Sequence, residues 1–185
     1  EKNQGRLSME PAFTNQGVYA HGICAYALGE YYTMTKDERM IPLLKQAIGY
    51  IVKGQSADGG WRYAYLETNH PDTSVTGWQI QALKAAHLSG LGIEGIPEAM
   101  EKAMVFLKGM QGPRGGYGYK EKGDGYSLAG AGVLCTYFWK QEKDRSVRQG
   151  IEFIIDETKA KYPVEYMHET ANLYAWYYHT QACLM

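Results

Sequence analysis

The chain of 185 residues has the length of one domain or of a slice of a larger one, and its 45% hydrophobic and 21% charged residues are globular values that exclude disorder, collagen and coiled coil. Nineteen Lys and Arg against 20 Asp and Glu leave a formal charge of -1, without the basic footprint that nucleic acid would require. Gly at 22 and Tyr at 16 residues are the departures from average, so the fold needs many tight turns and must place many half-polar rings.

In chain order, the sparsely charged run of Val18 to Tyr32 predicts a helix buried on more than one side. Ile41, Leu44, Ala47, Ile48 and Ile51 then mark one apolar helical stripe, with Pro42 near its start. A glycine-aromatic loop, Gly59-Gly60-Trp61, follows. Asp72-Thr73-Ser74 has the composition of an N-cap, and Val75, Trp78, Ala82, Leu83 and Ala86 continue from it at helical spacing. Ile96, Ala99, Met100, Ala103, Met104 and Leu107 form a second amphipathic stripe, with Pro97 in its first turn. After Gly115-Gly116-Tyr117 come a nearly uncharged segment, Tyr126 to Trp139, a third stripe, Val147 to Ile155, and a last poorly charged segment, His168 to Met185.

These elements repeat. Ala47-Ile48-Gly49-Tyr50-Ile51 aligns with Ala103-Met104-Val105-Phe106-Leu107 and with Gly150-Ile151-Glu152-Phe153-Ile154, at steps of 56 and 47 residues. Gln55 and Gln111 each precede their Gly-Gly-aromatic loop by the same spacing, whereas the third copy has Thr158 in place of the glutamine. The predicted fold is all-α: polar-backed outer helices alternate with uncharged inner helices over repeats at about 17–65, 72–119, 126–158 and 166–185 of one domain. Such hairpins stack into a solenoid or close into a ring.

The strings around Gln55 to Trp61 and Gln111 to Tyr117, with Asp72 to Gln79, resemble the QW motifs of the squalene cyclase and prenyltransferase (terpenoid cyclase) superfamily. Tyr19-Ala20-His21-Gly22, Gly59 to Tyr63 and Trp176 to Ala182 are similar to squalene-cyclase-like domains of large bacterial proteins of planctomycete type. The resemblance implies an α/α toroid with inner helices around a central cavity, here a partial ring belonging to a larger protein. It implies structural roles for Gln55, Trp61, Gln111 and Tyr117.

The superfamily's known chemistry is missing. No DxDD string supplies a cyclase acid, no Asp-x-Cys pair supplies a prenyltransferase zinc site, and DDxxD is absent. Cys24 is followed by Ala-Tyr-Ala rather than the Gly-Glu-Gln of macroglobulin thioester domains. His168-Glu169-Thr170-Ala171-Asn172 falls one ligand short of HExxH, so neither a metal nor a cofactor is expected. Asp72 and His168 remain as candidate acid or base residues, although an Asp before Thr-Ser also reads as a cap. Tyr19, His21, Arg62, Trp78, Tyr126 and Tyr178 are candidate ligand-binding residues on the inner helices or the loops that feed them. The expected partner is a small hydrophobic or amphipathic ligand, because tyrosine offers an apolar ring with one polar tip. An atypical terpenoid cyclase and a protein-interaction module are the alternatives. The three cysteines, Cys24, Cys135 and Cys183, build no disulfide framework, and the longest apolar stretch, Ala129 to Trp139, is too short for a bilayer about 30 Å thick. These features do not fix the compartment.

Overall fold

The computed structural model describes residues 6–7, 17–63, 70–140, 144–161, 167, 169 and 171–185. The fold is all-α, with helices α1 (Gly17–Thr35), α2 (Ile41–Lys53), α3 (Thr73–Leu88), α4 (Ile96–Met110), α5 (Tyr126–Lys140), α6 (Arg145–Lys161) and α7 (Leu173–Cys183). Among the described residues there is no strand, only isolated bridges from Gln111 to Tyr117 and to Gly123. The chain divides into two compact units, Glu1–Phe106 and Leu107–Met185, and α4 carries the backbone from one to the other.

In the first unit α3 packs on α1, and α2 lies against both. From Thr73 to Ala86 only Trp78 and Lys84 keep a sizeable part of their surface, so α3 is enclosed on all sides, as its lack of acidic residues requires. By contrast, α2 buries Leu44, Ala47, Ile48 and Ile51 and turns Lys45, Gln46 and Lys53 to solvent. Gly22 and Gly29, two turns apart on α1, face α3: a Cβ at Gly22 would strike the Gln79 amide, and one at Gly29 would lie 3.0 Å from the Ala85 methyl. Two missing side chains therefore let two helices approach closely.

The second unit repeats the plan, with α5 packed on α7 and on α6. Residues 128–136 of α5 are buried without a break. The outward face of α6 carries Arg148, Glu152 and Asp156, while Val147, Gly150, Phe153 and Ile154 are buried. The stripe expected on α4 is also realised, since Ile96, Ala99, Met100, Ala103, Met104 and Leu107 are all buried.

One expectation needs correction. The last sparsely charged helix starts at Leu173 rather than His168, because Asn172 is its N-cap and accepts from the Ala175 N–H at 3.0 Å; His168 itself lies outside the described residues. In the third copy, where Thr158 takes the place of the glutamine, α6 runs on to Lys161.

Candidate functional site

The glutamine-aromatic loops act as fasteners. Gln55 Nε2 donates to the carbonyls of Gly59 and of Ala99, in the first turn of α4, both at 2.8 Å. Gln111 Nε2 likewise donates to Gly115 O at 3.3 Å and to Ser146 O, in the first turn of α6, at 2.9 Å. Each amide thus ties its own loop to the next amphipathic helix, α4 or α6. The loops come so close to those helices that Gly59 (φ 91) and Gly115 (φ 109) take conformations that favour glycine, and a Cβ there would strike Lys102 O and Gln149 O. Trp61 is fully buried, its indole N–H donating to Ile51 O at 2.8 Å and its backbone N–H to Thr76 Oγ1 at 2.9 Å. Tyr117 stands in the equivalent place, 3.4 Å from Thr136 Oγ1, and burial pushes its phenol pKa up to about 12. Both rings are parts of the core.

Several candidates gather in the first unit. Tyr19 stacks on Tyr63 at 6.1 Å and meets Trp78 edge-on at 6.3 Å, and Tyr26 approaches Trp78 from another side. All four rings are half-buried, which makes an aromatic wall. Arg62 reaches only a long 3.9 Å pairing with Asp58, and its Nε is buried without a hydrogen-bond partner among the described residues. Asp72 is the N-cap of α3: its Oδ1 accepts from the N–H groups of Ser74 and Val75 at 3.0 and 2.9 Å and from the Ser74 hydroxyl at 2.6 Å. His21, expected to contact ligand, is enclosed instead. The Leu7 N–H donates to its Nδ1 at 2.9 Å, so Nε2 carries the hydrogen and donates to Ala47 O at 3.0 Å, tying α1 to α2.

The second unit holds a cavity of about 320 Å³ between α6, α7 and the first residue of α5. Ile154, Ile155 and Trp176 give it apolar walls. Tyr126 and Thr158 place a hydroxyl pair 2.7 Å apart at its edge, and Lys159 brings an ammonium group. His179, Thr180 and Cys183 line it from α7. The His179 ring lies edge-on to Tyr126 at 4.5 Å, and its Nε2 donates to the Tyr126 carbonyl at 2.9 Å. Its Nδ1 is buried and has no partner among the described residues. Burial also pushes the Cys183 thiol pKa up, so the sulfur is a neutral wall atom rather than an activated nucleophile.

Of the expected ligand contacts in this unit, Tyr126 lines the cavity. Tyr178 does not: it is sealed between Tyr174 and Tyr177, with ring centres at 4.9 and 5.0 Å. His179 was the residue to find. The signal lies in the caps, because setting Asn172 on Asp72 places His179 on Gln79, and Gln79 makes the matching bond in the first unit, donating to Val18 O at 3.0 Å. Among the described residues no group of three or more His, Cys, Asp or Glu could hold a metal ion, and no helix is long and apolar enough to cross a membrane.

Burial holds both His21 and His179 below the ordinary histidine pKa of about 6.5, against the opposing pull of their backbone acceptors. Unfolding returns each to its ordinary value and takes up protons wherever the pH is near or below 6.5. Stability is therefore complete above about pH 7 and falls as the pH drops through 6.5 towards the lowered values, by up to about 1.4 kcal/mol per pH unit for each histidine. Urea titrations between pH 5 and 7.5 should show that slope, and His179→Gln, which keeps a donor for Tyr126 O, should remove part of it. A flat profile would mean that neither imidazole is held neutral by the fold.

No curated protein and no solved structure matches the chain. A family match covers residues 6–128, from the start of the described first unit into α5. The chain accordingly belongs to the family described as Domain of unknown function (DUF6288).

Proposed function

We propose that the chain is a squalene-cyclase-like α/α toroid module, complete or partial, that binds a hydrophobic, partly polar small molecule without performing the known cyclase or prenyltransferase chemistry. The cavity of the second unit carries this reading. Its volume of about 320 Å³ lies at the lower end of small-molecule sites, which are mostly apolar with a few well-placed polar groups. The repeated glutamine fasteners support the toroid, since the Gln55 and Gln111 bonds join successive outer helices in the same way.

The test is mass spectrometry of small molecules that co-purify with the protein. An apolar molecule with a polar end should be retained by the wild type and lost from Thr180→Trp, which fills the cavity from the exposed side of α7. A wild-type profile identical to that of the filled variant would remove the proposal. Asp72→Asn separates binding from an enzymatic alternative with Asp72 as acid. Asparagine caps a helix about as well as aspartate, so stability and ligand retention should persist, and loss of turnover of a retained ligand would favour the enzyme.

A further inference from the structure

We propose that the cavity of the second unit takes a single-chain carboxylate, with its anionic head at Lys159 and its hydrocarbon tail between α6 and α7. This rests on the ligand-binding reading above and narrows its chemistry. The cavity carries charge of one sign: Lys159 lines it, and among the described residues no Asp or Glu does. The acids of the same helix are committed elsewhere. Glu152 and Asp156 lie on the outward face, Glu152 paired with Arg148 at 3.0 Å, and Glu157 is held by Arg114 and by Lys161, the latter at 3.2 Å. Arg148 and Lys161 are thereby matched, whereas Lys159 makes no ion pair among the described residues.

The charge stands beside an apolar wall. Lys159 follows Ile155 by four residues, so both lie on one face of α6, with Lys159 about 6 Å further along the axis. Ile155 is 40% exposed, and a hydrocarbon tail laid on it and on Trp176 would take that surface out of water. A lysine in such a place lays its stem along apolar surface and keeps its head in water. An anion can meet that head while still hydrated, which avoids the desolvation that penalises buried ion pairs. One ammonium matches one negative charge, which favours a carboxylate over a doubly charged phosphate monoester. The space, equal to about ten liquid waters, suits a medium-length chain.

The test titrates decanoate, 1-decanol and decyltrimethylammonium into the wild type by calorimetry at neutral pH. At about 0.01 M salt decanoate should bind about fivefold tighter than decanol, the fold-change of one exposed ion pair, and decyltrimethylammonium should bind weakest. The gap should close at about 1 M salt, where charges further apart than about 3 Å are screened. Lys159→Gln should bring decanoate down to the affinity of decanol and leave decanol unchanged. Lys161→Gln, which removes the same charge from a side chain outside the cavity lining, should keep most of the preference. Equal affinity for decanoate and decanol at low salt overturns the proposal while leaving the cavity a binding site, and so does a preference that Lys159→Gln retains or that Lys161→Gln abolishes equally. If no probe binds the wild type more tightly than Thr180→Trp, the ligand-binding reading fails as well.

Discussion

Trp61→Ala is expected to destabilise the first unit by about 3–5 kcal/mol, the range for removing a large buried aromatic. The ring has no exposed surface, and its loss opens a void beneath the loop. It also strips the indole partner from Ile51 O, near the end of α2. Little collapse can fill the space, because the loop is fixed on either side by Gln55 bonded to Ala99 O and by the Trp61 N–H bonded to Thr76 Oγ1. For a chain of this length each kcal/mol corresponds to about 2–4 °C, so thermal unfolding followed by circular dichroism should move down by about 6–20 °C. Trp61→Phe keeps most of the apolar volume and should recover most of the loss, leaving the indole hydrogen bond at about 1 kcal/mol. A shift below 2 °C for the alanine variant would mean that the loop is not a fastening point.

The amphipathic helices were legible because their information is local. A stripe such as Ile96 to Leu107 needs only a 3.6-residue period, and every one of its positions is buried. The paired glutamines were legible for a different reason: each loop comes so close to the next helix that only glycine fits and only a side-chain amide of that length reaches across. The sparsely charged helices were legible as buried on more than one side, but their polar residues were not assignable. His21 and His179 have equal standing in the sequence, and both donate to a neighbouring helix through Nε2. They differ in what meets Nδ1, the Leu7 N–H in one case and nothing among the described residues in the other. That difference is set by tertiary packing and has no local signature. The cavity has the same origin, since Ile155 belongs to the predicted apolar stripe of α6 yet is 40% exposed where it lines the hollow beside α7.

Replacing glycine by alanine should have opposite effects at two helical positions. At Gly49, within α2, a new Cβ meets nothing within 4 Å. Gly49→Ala should therefore stabilise by about 0.5–1 kcal/mol, through the reduced backbone freedom of the unfolded chain and the better helix propensity of alanine. At Gly130, within α5, the Cβ would fall on the Cδ2 and backbone N of His179 and on the carbonyl carbon of Tyr178. Two of those atoms are main chain, so no rotamer change can make room and α7 must move away from α5. Overpacking of this kind costs about 1–3 kcal/mol, offset in part by the same propensity gain. Moving α7 also stretches the 2.9 Å bond from His179 Nε2 to Tyr126 O, so the loss should exceed that at Gly22, where the new methyl meets chiefly the flexible end of Gln79. Urea unfolding of the three alanine variants should rank Gly49 above wild type, Gly22 below it and Gly130 lowest. If Gly130→Ala matched wild type, α5 and α7 could not approach as closely as the His179 bond requires, and the placement of His179 beside the cavity would fall with it.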